Sequence, residues 1–107
     1  MPARAAIADD GNETFVSAVS VWEIAIKYKQ GRLPTASSLI GDIDGTIVRH
    51  GFYAIPITMQ DGERAGDLAL HHKDPFDRML IAQALTHSLT LISNERLFDR
   101  YGVARLW

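Results

Sequence analysis

A chain of 107 residues, with 47% hydrophobic and 22% charged residues, has the size of one globular domain and is too apolar to be disordered. Its formal net charge of −2 excludes binding of nucleic acid through bulk positive charge, so any contact with RNA or DNA requires a local basic patch or a bound cation. The absence of cysteine excludes a disulfide framework and a thiolate zinc site and suits a reducing cytoplasm; no apolar run nears the ~18 residues of a membrane span, and the N-terminus lacks the basic-then-apolar pattern of a signal peptide.

In chain order, Arg4 to Ala8 predicts the tail of a helix, ended by Asp9-Asp10-Gly11-Asn12. Phe15-Val16-Ser17-Ala18-Val19 is rich in β-formers and predicts a strand. Ser20-x-x-Glu23 has the spacing of a capping box. It opens a helix with the stripe Val21, Ile24, Ala25 and Tyr28 and a stop at Gly31. After a linker over Pro34 to Ser38, the four-residue spacing of Leu39, Ile43 and Ile47 predicts a second helix ending near Gly51. Tyr53-Ala54-Ile55-Pro56-Ile57 predicts an edge strand, because Pro56 has no backbone donor. Thr58-x-x-Asp61 caps a further helix expected to reach about Leu70.

The next stretch organises the rest. Asp74 suits an N-cap, Pro75 the first helical position, and Asp77 then falls in the first turn. Met79, Leu80, Ile81, Ala82, Ala84 and Leu85 follow, apolar on nearly every face, which predicts a buried helix. Leu89-Thr90-Leu91-Ile92-Ser93 is an apolar strand. Asn94 is expected to cap a short helix through Leu97 and Phe98 that stops at Gly102, and Val103 to Trp107 predicts a last strand. Strands alternating with helices imply an α/β fold with a parallel sheet covered on both faces, working at the carboxyl ends of its strands.

Each acid near that edge has a local explanation. Glu23 completes the capping box and can pair with Lys27 one turn on. Asp74, Asp77 and Glu95 suit helix N-termini, where the dipole favours negative charge. Taken together they carry another meaning: converging carboxylates repel unless a cation lies between them, and their oxygens are the ligands Mg²⁺ and Mn²⁺ prefer. Such a cation polarises a phosphodiester and activates water. Ser93 is placed to orient a carboxylate or a water. Arg78, beside Asp77, is a phosphate-binding candidate. Lys27, Lys29 and Arg32 form a basic cluster that is either a solvated face or a phosphate-steering patch. His71-His72 is expected to be a loop feature, since histidine metal sites need further convergent ligands. Trp22, Phe76 and Trp107 are able to stack on bases, but apolar neighbours favour core packing for Trp22 and Phe76.

Three segments carry a resemblance: Val19-Ser20-Val21-Trp22-Glu23-Ile24-Ala25-Ile26-Lys27, then Asp74-Pro75-Phe76-Asp77-Arg78-Met79-Leu80-Ile81-Ala82-Gln83-Ala84, then Leu89-Thr90-Leu91-Ile92-Ser93-Asn94-Glu95. In order, and over almost the whole chain, these resemble PIN-domain proteins of the VapC toxin type. The resemblance implies one PIN-like domain over 1–107, three-layered α/β/α around a mostly parallel sheet. It implies a cytoplasmic endoribonuclease dependent on Mg²⁺ or Mn²⁺. Such a protein is the toxin half of a type II toxin–antitoxin pair, often a homodimer held inactive by its antitoxin. By the same resemblance, Glu23 and Asp77 match two metal-binding acids. Glu95 matches a third, usually Asp in a Thr-x-Asp pattern that here reads Ser93-Asn94-Glu95, and Asp74 belongs to the Asp-Pro-Phe-Asp motif. Members of this family begin with a central strand bearing an Asp, in a Leu-Leu-Asp-Thr-type motif, and this sequence starts inside what resembles the following helix. The expectation is therefore a sheet lacking its first strand, a weakened metal site and little nuclease activity. The alternative is an inactive remnant that binds the antitoxin without catalysis.

Overall fold

The computed structural model describes residues 2–107. Helix α1 (Pro2–Ala8) precedes strand β1 (Phe15–Ser17) and helix α2 (Ala18–Lys29). A 3₁₀ helix (Pro34–Ser38), α3 (Ile43–Arg49) and β2 (Tyr53–Ile55) follow. Then come α4 (Met59–Asp67), α5 (Pro75–His87), β3 (Leu91–Ile92), a second 3₁₀ helix (Arg96–Tyr101) and β4 (Arg105–Leu106). The described chain divides into two compact units, Glu13–Pro56 on one side and the residues up to Asn12 together with Ile57–Trp107 on the other. No helix among the described residues is long and apolar enough to cross a membrane.

In the unit Glu13–Pro56, β1 and β2 pair in parallel, with Phe15 opposite Tyr53, Val16 opposite Ala54 and Ser17 opposite Ile55. The Phe15 and Tyr53 rings meet with centroids 5.5 Å apart. The predicted strand ends two residues early, and α2 takes over at Ala18. Ser17 is its N-cap, with extended backbone and a buried Oγ that accepts from the Val19 N–H at 3.1 Å. The capping box expected at Ser20 and Glu23 is therefore corrected: both residues lie inside the helix. Val19, β-branched and strand-like in isolation, is 2% exposed as a helical residue, so burial overrides propensity. Ala36 and Ile47 are the other buried apolar residues of this unit. The helix expected from Leu39 onward begins only at Ile43, because Pro34–Ser38 forms the 3₁₀ turn and Gly41, at φ +101°, interrupts the spacing. Trp22 departs from the core packing expected of it, at 58% exposure.

The larger unit is built on α4 and α5. Thr58 and Asp61 form the predicted capping box: the Asp61 N–H donates to Thr58 Oγ1 at 3.1 Å and the Thr58 N–H to Asp61 Oδ2 at 3.0 Å. The helix stops at Asp67, short of Leu70, with Leu68 extended. Helix α5 starts as predicted, with Asp74 as N-cap and Pro75 at its first position. It buries Ile81, Ala82, Gln83 and Ala84. Ile81 and Ala84 join Phe98 and Val103 in the core, flanked by Leu68, Leu85, Leu89, Leu91 and Tyr101. Strands β3 and β4 pair in parallel, Leu91 opposite Arg105 and Ile92 opposite Leu106. The second 3₁₀ helix is capped by Glu95, not by Asn94 as expected: the Glu95 backbone is extended and its carboxylate accepts from the Leu97 N–H. The strands thus form two separate two-stranded parallel sheets, where the alternation of elements had suggested one continuous sheet.

Candidate acidic site

At the start of α5, Asp74 caps the helix and Asp77 pairs with His72. Asp74 Oδ1 accepts from the backbone N–H of Phe76 at 2.8 Å and of Asp77 at 3.4 Å. These bonds satisfy donors that the first helical turn leaves unpaired, so Asp74 is held by the helix it begins. Asp77 Oδ2 lies 2.9 Å from His72 Nε2. The adjacent histidine, His71, is exposed and sets its ring edge-on against Tyr101, centroids 5.2 Å apart. The pair is a loop feature as expected, but only one of the two histidines reaches an acid. That distinction depends on backbone direction in the loop and had no signal in the adjacent letters.

Arg78 follows Asp77 and is directed inward along the chain. Its Nη2 donates to the carbonyls of Ala65 at 2.8 Å, Leu68 at 2.9 Å and Gly66 at 3.4 Å. Its Nη1 donates to Ala69 at 3.0 Å and His72 at 3.1 Å. A guanidinium over the last carbonyls of α4 satisfies acceptors the helix leaves open and opposes the negative end of its dipole. The geometry thus gives Arg78 a structural duty and lends no support to the phosphate-binding role expected of it.

Glu95 is exposed. Its Oε1 accepts from the Leu97 N–H at 3.0 Å, and its own N–H donates to Ser93 Oγ at 3.1 Å. Ser93 therefore holds the backbone of Glu95 and not its carboxylate. Nearby, Arg105 donates to both oxygens of Asp99, at 2.8 and 3.1 Å, and to the Ser93 carbonyl at 3.1 Å. The Arg105 bonds hold the Asp99 carboxyl below its ordinary value and raise the guanidinium in return. Asp99 escaped notice in the sequence because it belongs to no motif.

In the other unit, Glu23 lies on α2 with its Oε2 3.2 Å from Lys27 Nζ, the one-turn pairing that the sequence predicts. In donor chemistry, these carboxylates suit a hard divalent cation. Among the described residues, however, no three His, Cys, Asp or Glu side chains are grouped closely enough to hold a metal ion.

No curated protein and no solved structure matches the chain. A family model does: that of the PIN domain matches residues 1–104. The acids fixed at the mouth of α5 lie inside that match, and the chain belongs to the PIN-domain family, an α/β family whose members are generally metal-dependent nucleases.

Proposed function

We propose that this protein is an endoribonuclease toxin of a toxin–antitoxin pair, cleaving RNA with Mg²⁺ or Mn²⁺ in the cytoplasm. Asp77 and Glu95 are the proposed acids that bind or position the cation, and Glu23 is a candidate for the same duty from its match to the family's motif. Asp74 is a fourth candidate, Ser93 an orienting group, and Lys27 a group for the substrate phosphate. The cation supplies Lewis acidity and a more acidic water for attack on phosphorus. A cognate antitoxin and a second copy of the chain are its proposed partners. The observation that carries this proposal is the Asp74-Pro75-Phe76-Asp77 entrance to α5. There one acid is committed to capping and the next is held by a histidine at 2.9 Å.

The test is cleavage of RNA by the purified chain with added Mg²⁺ or Mn²⁺. The wild-type cleavage expected from the sequence is weak; Asp77→Asn removes the charge with little change in shape, and that cleavage is expected to fall to background while the melting curve is retained. Equal cleavage by the variant would refute the role of Asp77. A second proposal, an antitoxin-binding relative without catalysis, draws on one observation: Glu23 already pairs with Lys27, Asp77 with His72, and Glu95 with the Leu97 N–H. Under it, both wild type and Asp77→Asn fail to cleave RNA and both bind the antitoxin.

A further inference from the structure

Helix α2 turns one face to solvent. Ala18, Trp22, Ala25 and Lys29 are all exposed, and steps of four, three and four residues place them in one line along the helix. Trp22 is 58% exposed, although an indole gains more from burial than most side chains. On either side of it in the line, Ala18 and Ala25 carry only a methyl group, too short to cover the ring.

The far end of the same line is cationic. Lys29 is the last residue of α2, and helical side chains lean toward the N-terminus, which directs its stem back toward the turn of Trp22. Arg32 is fixed just beyond. Gly31, at φ +73°, reverses the chain, its N–H donating to the Tyr28 carbonyl at 3.0 Å and the Arg32 N–H to the Lys27 carbonyl at 2.9 Å. The guanidinium reaches Gln30 Oε1 at 3.4 Å. Glu23 is committed to Lys27, and among the described residues no carboxylate pairs with Lys29 or Arg32. Cations at a helix C-terminus are accounted for by its dipole; an exposed indole in line with them is not.

An aromatic face beside uncompensated cations is the combination that holds a single nucleic-acid strand: the ring takes a base and the cations take phosphate. We propose that this face of α2 is a contact surface for unpaired RNA, with one base stacked on Trp22 and phosphates of the strand at Lys29 and Arg32. The proposal takes its ligand from the ribonuclease reading and adds to it a contact that needs no metal. A second copy of the chain suits the face less well. Two faces of a 12-residue helix bury roughly 400 Å² between them, against the ~1,200 Å² at which stable interfaces begin.

The experiment is run in EDTA, so that no strand is cut. The full chain is titrated with a fluorescein-labelled oligouridylate and with an RNA duplex, and binding is read by anisotropy at several salt concentrations. Trp22 and Trp107 are the two tryptophans of the sequence, so Trp107→Phe leaves Trp22 as the one indole emitter, and unlabelled oligouridylate is expected to quench it saturably. Trp22→Ala is expected to lower single-strand affinity on the order of 5- to 100-fold, the loss of one stacked base, and Trp22→Phe to recover part of it. Lys29→Gln is expected to flatten the slope of log affinity on log salt by about 0.7, the release of one phosphate contact. The duplex is expected to bind weakly, since its bases already stack on one another.

Unchanged affinity in Trp22→Ala, binding without quenching of Trp22, equal affinity for duplex and single strand, or no binding by wild type overturns the proposal. So does a dimer in sedimentation that Trp22→Ala dissociates, which would assign the face to a second copy. If Trp22→Ala fails to melt like wild type, the quenching of Trp22 and the Trp22→Phe and Lys29→Gln titrations decide. Cleavage with Mn²⁺, assayed separately, distinguishes the two readings. Strand binding that follows Trp22 in a protein that cuts no RNA refutes the ribonuclease reading and upholds the contact surface, whereas cutting that is indifferent to Trp22 does the reverse.

Discussion

Asp61→Ala is expected to destabilise the protein by about 2–4 kcal/mol, the combined loss of a helix cap and of partners for buried polar groups. For a chain of this length that corresponds to a fall in Tm on the order of 10–20 °C. Asp61 is fully buried, and Gln83, which donates to its Oδ2 at 3.3 Å, is 2% exposed. Removing the carboxylate takes an acceptor from the Gln83 amide and from the Thr58 N–H together. The other oxygen, Oδ1, accepts no hydrogen bond among the described residues, and His87 Nε2 lies 3.4 Å from it. Burial by itself raises the Asp61 carboxyl. The Thr58 backbone, the Gln83 amide, the Thr58 hydroxyl and the charge on His87 outweigh burial and leave it below the ordinary value of 3.8.

The sign of the pH dependence follows. A carboxyl lower in the folded state than in the unfolded state contributes its full stability above pH 3.8. That contribution is lost as the pH falls through the lower, folded value. Urea melts of wild type and Asp61→Asn are therefore expected to differ most near neutrality and to converge in strong acid. A constant difference at every pH would show that the carboxylate is not the titrating group.

The second large effect is expected at Arg78. Arg78→Ala removes charged donors from five carbonyls and should cost about 2–4 kcal/mol, since hydrogen bonds to charged groups are worth ~1.5–3 kcal/mol and part of the loss is recovered by water. Arg78→Lys should recover less than half, because one ammonium on a flexible stem cannot span carbonyls from Ala65 to His72 as a planar fork does. Thermal melts of the three proteins measure this directly. Cleavage assays at a temperature where the Lys variant stays folded separate the two duties weighed for this residue. An unchanged KM for RNA supports the structural clasp, whereas a raised KM at full folding would restore a phosphate contact.

The contrast between these two residues shows what the chain discloses before folding. The cap at Thr58 and Asp61 and the start of α5 at Asp74 were legible because each is written within four residues, as a side chain returning to nearby backbone. The buried stripe of α5 was legible for the same local reason. The duty of Arg78 was not, because its acceptors lie 6 to 13 positions upstream and become neighbours only when α4 ends where it does. His72 was obscured likewise by partners that include Tyr101, 29 positions away. At the N-terminus of α2 two serines competed. Ser20 had the better local pattern, but burial of Val19 drew the helix back to Ser17. Among the site candidates, the acids were readable as residue types at helix starts, and Glu23 with Lys27 as a one-turn pair. Their in-chain partners, His72 above all, required the fold.

The strand pairings carry one more consequence. Each sheet is two strands wide, three residues deep in one case and two in the other, and isolated pairs of that size are marginal in water. Helix α5 instead sinks four consecutive residues, 81–84, out of solvent. Cooperative opening is governed by such buried density, so amide protons in the strands will trade with deuterium through small, frequent excursions. Those of 81–84 must wait for the whole helix to detach.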